Sequence, residues 1–482
     1  MAETFLFYDI ETTGLSRAFD QILEFAAIRT DLELNEIDRF TAKIRLRPDV
    51  IPSAAAILVT RLRIADCLSG RCEYDAMRDI HAQLNRPGTV SIGYNSIGFD
   101  DEFLRFGFHR NLLPPYTHQF ANGCRRMDLL PITLMYWLYR REVLKWPEPN
   151  GRASLKLEDI GALNSLFSGP SHQAIRDVEA ALRLARLLAR EERMWRYLEG
   201  CFRTDIDARR MEELPVAVSS ASGDHRLAVL VAGEFGTRLR FQAPVISLGH
   251  SIPYPKQSLW LRLDQPDLRG CREESLAACT WVARKRAGEP GILLPPTERY
   301  LEPIGPERRR QMQANLDWLR SQPALFARIA DHHRHFRYAF IPDLDADASL
   351  YQTGFLPRAD EALCRAFHAA AFDEKVKIAA RFSNPAARIL AERILFRNYD
   401  NPLPPHLIRA RDAFQRRICR KEALTDYTGN RRTTPQSALA EISEIRRSAG
   451  LGDAERRLLD DLQDHILRRF PCGAPAQQQP LL

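Results

Sequence analysis

Three apolar runs rich in β-branched and aromatic residues open the chain: residues 5–11 (FLFYDIE), 22–30 (ILEFAAIRT) and 40–46 (FTAKIRL). Turn-prone residues separate them, and links this short favour neighbouring antiparallel strands. A fourth run, 90–94 (VSIGY), follows, and the period then becomes helical over 100–110, 128–141 and 172–192. Strands first and helices afterwards predict an α/β domain whose mixed sheet carries its helices on the faces, not a repeating βαβ wheel.

The pattern changes at about residue 201. Runs 227–231 (LAVLV), 238–246 (RLRFQAPVI) and 258–263 (SLWLRL) are short and broken by Gly and Pro, which predicts a small barrel or sandwich. Helical periodicity returns near residue 306 and persists to about 470. The last stretch, PCGAPAQQQPLL, is Pro- and Gln-rich and reads as disordered. The expected divisions are therefore 1–198, 199–338, 339–470 and a tail at 471–482. No repeat of fixed period is present.

With 482 residues the chain can bury several cores, and 45% hydrophobic with 27% charged residues is ordinary globular composition. A formal net charge of +7 suits a polyanionic partner, because each phosphate neutralised by Lys or Arg releases condensed counterions. The nine cysteines form no C-x-x-C pair, which argues against a disulfide framework or a zinc knuckle and fits a reducing compartment. No basic leader precedes an apolar stretch at the N-terminus, and no apolar run reaches the length of a membrane span. A cytoplasmic location is the expectation.

Four acidic residues and one histidine carry the chemistry. Asp9 and Glu11 lie two apart in the first strand, so both carboxylates project from one face. A D-x-E pair on a surface strand usually means only solvation. Here apolar residues flank it, and two buried carboxylates without a cation are costly. Thr12, Thr13 and Gly14 follow, with Gly14 allowing close approach of backbone N–H groups to a ligand. Asp100 comes after the fourth strand in NSIGFD, where a helix N-cap would equally account for it. His172 and Asp177 are five apart, about 140° around a regular helix, so they converge only if His172 sits on the loop or first turn beside a Ser171 cap.

Together these groups suit phosphodiester hydrolysis. Four carboxylates without a thiolate favour Mg²⁺ or Mn²⁺ over zinc. Two such ions can activate water, clamp the scissile phosphate and stabilise the leaving oxygen. His172, titrating near neutrality, is the natural general base.

The order D-x-E, N-x-x-x-F-D, H-x-x-x-x-D resembles the DEDDh exonuclease superfamily. That resemblance implies that Asp9, Glu11, Asp100 and Asp177 hold two Mg²⁺ ions (Mn²⁺ as a substitute) and that His172 is the base. FLFYDIETTG with QILEFAAIRTD, GYNSIGFDDEFLR, WPEPNG with SLKLEDI, and HQAIRDVEAA further resemble the bacterial exonuclease I family. So do DADASLYQTGF near Tyr351 and RILFRNYDNPLP near Phe396. The family implies a ribonuclease H-like α/β exonuclease domain with a mixed sheet, then a small SH3-like β domain, then an all-α C-terminal domain. The three close as a clamp around single-stranded DNA. It implies a monomeric 3′→5′ exonuclease that releases 5′-mononucleotides, processively, in DNA repair and recombination. Thr13 departs from the aromatic expected after D-x-E-T, which bears on stacking against the terminal base.

Binding surfaces are less sharply marked. Arg105, one turn beyond Asp100, is placed to meet a phosphate, and Lys156 stands where the family tends to have Arg, a point charge in place of a fork. Arg393, Phe396, Arg397 and Tyr399 interleave cations with aromatics as single-strand channels do, although core and solvated surface explain each one singly. Arg308, Arg309 and Arg310 begin a basic helix that continues to Arg320 and Arg328. By family resemblance such a patch docks the acidic tail of single-stranded DNA-binding protein. Asp331, His332 and His333 read as a polar helix end and not as a DHH phosphoesterase motif. Two other functions remain open: 3′ trimming of RNA, since the same metals cut either backbone, and a silent single-strand-binding module.

Overall fold

The computed structural model describes residues 3–167, 173–220, 223–420, 422–448 and 450–470. The N-terminal sheet has strands β1 (Thr4–Thr12), β2 (Ile22–Thr30), β3 (Glu36–Lys43), β4 (Thr89–Gly93) and β5 (Arg125–Asp128), in the order β3-β2-β1-β4-β5. The three N-terminal strands form an antiparallel meander, while β4 and β5 run parallel to β1, so the sheet is mixed as the sequence predicts.

The alternation along β1 sorts its side chains onto two cores. Leu6, Tyr8 and Ile10 pack with Met77, Ile80, Phe103 and Phe108, so the Glu73–Leu84 and Asp100–Arg110 helices cover that face. Phe5 and Phe7 face the other way, against Ile132, Val178 and Leu182 of the Leu129–Tyr139 and Ala174–Ala189 helices. Asp9 and Glu11 share the parity of Phe5 and Phe7. They therefore point toward the helix that carries Asp177.

Two elements differ from expectation. The third strand begins and ends earlier than 40–46, because its pairing with β2 runs only from Glu36 to Lys43. Beyond it the backbone turns to Cys67 and Arg71, so Ile44 and Leu46 are buried without extending the ladder. The short β5 lies at the front of the stretch read as helix. Asp128 ends that strand and then caps the helix, accepting a hydrogen bond from the Leu130 N–H.

The middle region is an antiparallel sheet of β6 (Val216–Ser220), β7 (Gly223–Val231), β8 (Gln242–His250), β9 (Gln257–Arg262), β10 (Val282–Arg286) and β11 (Ile292–Leu294). Its order is β10-β9-β8-β7-β11, with β6 also on β7. The predicted strand at 238–246 starts late, since Arg240 and Phe241 adopt positive φ of 51° and 55° and close a turn first. Helices Pro306–Ser321 and Pro323–His335 cover one face through Leu316, Leu319, Phe326 and Ile329. Val229, Val231, Phe241 and Ile292 join the core of the N-terminal domain, with Phe241 edge-on to Trp137 at 5.4 Å.

The C-terminal region is helical and packs back onto the N-terminal domain at two places. Phe367, Leu390 and Ile394 meet Tyr74 and Leu112. Ile442, Leu459, Leu462 and Ile466 meet Ile51, Ile57 and Ile64. Between these contacts lies a buried ionic cluster. Arg397 bonds to Asp49 at 2.9 Å and to Asp347 at 2.6 Å, and Arg393 to Asp345 at 2.5 Å. Arg47 bonds to Glu73 at 3.0 Å, and Arg432 to Asp49 at 2.9 Å. Among the described residues no helix is long and apolar enough to cross a membrane.

Candidate active site

β1 and β4 are parallel neighbours, so their C-terminal ends lie at one edge of the sheet, where α/β folds place their sites. Carboxylate oxygens of Asp9, Glu11 and Asp177 lie within 4.8 Å of one another there. Asp9 and Glu11 come from consecutive same-face positions of β1, and Asp177 from the first turn of the Ala174–Ala189 helix. Asp100 enters from the opposite face. It is the first residue of the Asp100–Arg110 helix, with Phe99 at the N-cap, so it is not the cap its position allowed. Asp100 is not one of the three carboxylates within 4.8 Å of one another, but it is the charge that acts most on Asp9, and the backbone N–H groups of Asp100 itself and of Ile10 favour its charged form.

The electrostatics of this cluster are one-sided. Burial, then Asp100, Asp177 and Glu11, hold the Asp9 carboxyl well above the usual carboxylate range. Burial, then Asp177 and Glu24, push Glu11 up to about 8. Asp100 is raised as well, by burial first and by Asp128 and Asp101 beyond it. The charges acting most on Asp9 are all negative, and every donor is a hard oxygen. This donor set fits a divalent cation of the Mg²⁺, Mn²⁺ or Ca²⁺ kind, whose charge would offset the repulsion.

His172, the expected base, lies outside the described residues. The glycine-bearing turn after β1 is stiff. Thr12 Oγ1 donates to the Gly14 carbonyl at 2.8 Å. The Thr13 side chain is fully buried and its hydroxyl donates to Asp20 at 2.9 Å, while its backbone N–H donates to the Gln21 carbonyl at 2.9 Å and its carbonyl accepts from the Ser53 N–H at 2.8 Å, so Thr13 supports the turn. A Cβ on Gly14 would stand 2.5 Å from Asp20 Oδ2, which explains glycine there.

The cationic candidates divide. Lys156 is exposed at the start of the Leu157–Leu163 helix. With Arg152, Tyr94, Asn95, Gly236 and Thr237 it lines a cleft of about 610 Å³ between the N-terminal domain and the middle sheet. Arg105 is not a free phosphate ligand: it is buried, and its guanidinium is taken up by Asp101, Glu102, Gln119 and Tyr351. The sequence carried that signal, since Asp101 and Glu102 stand at i−4 and i−3 from it. Arg393 and Arg397 are likewise inside the ionic cluster, with Phe396 packed against Phe414. Arg308 is held by Asp264 and by the carbonyls of Leu239 and Gln242, and Arg309 by Glu298, which leaves Arg310 as the exposed member of that run. His333 is buried and bonds to Thr280 at 2.7 Å, as a helix end docked in the core should.

Asp128 was not singled out by sequence, yet it orders the loop leading to Asp100. Its buried carboxylate accepts from the N–H groups of Asn95 at 2.8 Å and Ile97 at 3.1 Å. Burial pushes its carboxyl up to about 6. An Asp directly before an apolar helix was the available signal, and it reads as a cap only.

Residues 6–185 match the Exonuclease family. Exodeoxyribonuclease I of Escherichia coli (strain K12) is 35% identical over 199 residues, 40% of this chain and 42% of the relative. The enzyme of that name from Haemophilus influenzae is 32% identical over 192 residues, 39% and 41% of the two chains. The aligned stretch thus spans about two fifths of the length of these relatives. In fold the likeness extends further. Escherichia coli exonuclease I in complex with a 5cy-dT13 oligonucleotide superposes with a TM-score of 0.84 at 23% identity, covering 97% of this chain and 100% of that one. A moderately thermophilic exonuclease I from Methylocaldum szegediense gives 0.82 at 24%, with the same coverages of 97% and 100%.

Proposed function

We propose that this chain, whose N-terminal domain belongs to the exonuclease family and whose fold is that of bacterial exonuclease I, degrades single-stranded DNA from its 3′ end to 5′-mononucleotides. The observation that carries this reading is the convergence of Asp9, Glu11 and Asp177 within 4.8 Å, with Asp100 bearing on Asp9 from the neighbouring helix. Holding a strand-borne pair and an acid of a helix first turn this close is costly without a cation to offset the repulsion.

Asp9, Glu11, Asp100 and Asp177 would hold two Mg²⁺ ions, with Mn²⁺ as a substitute. When bound, such ions supply the positive charge that favours attack by water and departure of the 3′-oxygen. His172 takes the proton that the attacking water loses. The turn of Thr12, Thr13 and Gly14, kept rigid by Asp20, lies beside the terminal nucleotide. Lys156 and Arg152 neutralise phosphates along the cleft toward the middle sheet, which the resemblance reads as an SH3-like domain. DNA is favoured over RNA because the structural relatives are described in complex with DNA oligonucleotides. The chain acts as a cytoplasmic monomer in repair and recombination, processively if the helical region completes a clamp. Arg310, the exposed end of the basic run, is the proposed contact for the acidic tail of single-stranded DNA-binding protein.

The test uses 3′- and 5′-labelled single strands, as DNA and as RNA, with Mg²⁺ or EDTA, wild type beside Asp177→Asn. Metal-dependent release of mononucleotides from the 3′ end of DNA, lost in the variant, is expected. Preference for RNA would overturn the substrate, and binding without cleavage would overturn the reaction.

A further inference from the structure

Of the four clustered carboxylates, Asp100 has the weakest local support. It starts a helix whose N-cap, Phe99, offers no capping side chain, with φ −129° and ψ −73°. That first turn keeps local backbone bonds, Asp101 N–H to the Ser96 carbonyl at 2.9 Å and Phe103 N–H to that of Phe99 at 3.2 Å, but the side chains that anchor it reach to other regions. Asp101, fully buried, accepts from His118 Nε2 at 2.7 Å and from Arg126 Nη1 at 2.7 Å, and forms an ion pair with Arg105 Nη2 at 3.0 Å. The other end of Arg126 reaches Glu289 at 2.8 Å, in the loop that joins β10 to β11. Glu102 bonds to Arg105 and to the hydroxyl of Tyr351, which belongs to the short Leu350–Thr353 helix of the C-terminal region. The Arg105 guanidinium also donates to that hydroxyl at 3.3 Å. The Tyr351 ring is fixed edge-on by Phe106 at 5.6 Å and Tyr427 at 4.9 Å.

The two residues that follow Asp100 are therefore tied to two different regions, one to the middle sheet and one to the helical region. The Asp101–Arg126 tie is buried, where a misplaced partner is costly and geometry is strongly specified, while the Glu102–Tyr351 tie lies nearer the surface and is fixed by the aromatic packing of Tyr351. We infer that Tyr351 and Glu289 are positioning residues for Asp100, so that the carboxylate cluster takes its metal-binding geometry only when all three regions are docked. A strand threaded between the regions would then bear on the chemistry through the first turn of this helix as well as through direct contact. Asp100 need move little for this to matter, since the outer partners of metal ligands commonly change affinity by about 10- to 100-fold.

This inference rests on the reading of Asp100 as a metal ligand. Its test is a titration of the DNA-free protein with Mn²⁺, followed by calorimetry, on wild type, Tyr351→Phe and Glu289→Gln. The metal dependence of DNA cleavage and the melting midpoint are measured alongside. Tyr351→Phe keeps the ring packing and removes only the hydroxyl. Its Mn²⁺ affinity should fall about three- to tenfold, with the midpoint little changed and cleavage recovering at high metal concentration. Glu289→Gln should shift affinity in the same direction by less. Unchanged Mn²⁺ affinity in both variants overturns the inference, and so does a rise confined to KM for DNA, which would make Tyr351 a strand contact. Failure of wild type to bind Mn²⁺ or to cleave would instead sink the underlying assignment of the site.

Discussion

Two clusters of acids, one partly exposed and one buried, are built on opposite principles. At the end of β1, burial first and neighbouring carboxylates second hold the Asp9, Glu11 and Asp100 carboxyls above their ordinary range, with Asp177 among the charges that raise Asp9 and Glu11. At the junction with the helical region, Asp49, Glu73, Asp345 and Asp347 are interleaved with Arg47, Arg110, Arg393, Arg397 and Arg432. Burial alone would raise the Asp49 and Asp347 carboxyls. The arginines around them override it, so both lie below the ordinary range. The first cluster is incomplete as protein and is finished by a cation from outside. The second neutralises itself and serves cohesion.

The sharpest way to break this comparison is to remove one negative charge from the first cluster. Asp177→Asn should lower cleavage on the order of a thousandfold or more, as several kcal/mol of charge stabilisation at the reacting phosphate is lost. It should leave the metal-free protein as stable as wild type or more so, because repulsion is relieved. A variant that loses activity and stability together would mean the carboxylates are structural. The same operation on the second cluster has the reverse signature. Arg397→Ala leaves Asp49 and Asp347 short of a partner and should cost about 3–5 kcal/mol in urea denaturation. A cost below about 1 kcal/mol would show the network to be water-screened.

Proton linkage sharpens the contrast further. Glu11 binds its proton more tightly folded than unfolded, so its contribution is full at low pH and is lost as pH rises from about 4.5 toward 8. Asp49 and Asp347 are depressed, so theirs is present above the ordinary carboxylate value and lost only on acidification below it. The melting midpoint of metal-free protein should therefore fall by a few degrees between pH 6 and pH 9, and Mn²⁺ should restore more at pH 9 than at pH 6. A flat profile without metal would contradict the raised carboxyls. The smallest effect is reserved for the exposed cleft: Lys156→Ala should raise KM for single strands a fewfold at low salt, fading as salt rises.

How much of this was legible beforehand depends on how local each cause is. The i, i+2 relation of Asp9 and Glu11 follows from strand geometry, and the start of the Asp100 helix was read to the residue. Arg105 was misjudged because only its charge was weighed, although its partners stand within one turn of it. Arg393 and Arg397 could not have been placed at all. Their acids, Asp49, Asp345 and Asp347, approach only in the folded chain, and nothing near RILFRNY announces them. The strand β5 was hidden by its length, four residues with a helix directly behind. His172 remains an expectation from the motif.

The packing of the terminal helices on the start of the chain also has a temporal side. The Ala55 N–H donates to Glu441, 386 residues further on, and Ile51, Ile57 and Ile64 are covered by Ile442, Leu459, Leu462 and Ile466. During synthesis the antiparallel meander of β1, β2 and β3 can form early, because those strands are neighbours in sequence. The surface around residues 51–64 stays bare until the ribosome has delivered residues 442–466. The nascent protein therefore carries a greasy patch over that whole stretch of translation, and it is sealed by a segment made long after it.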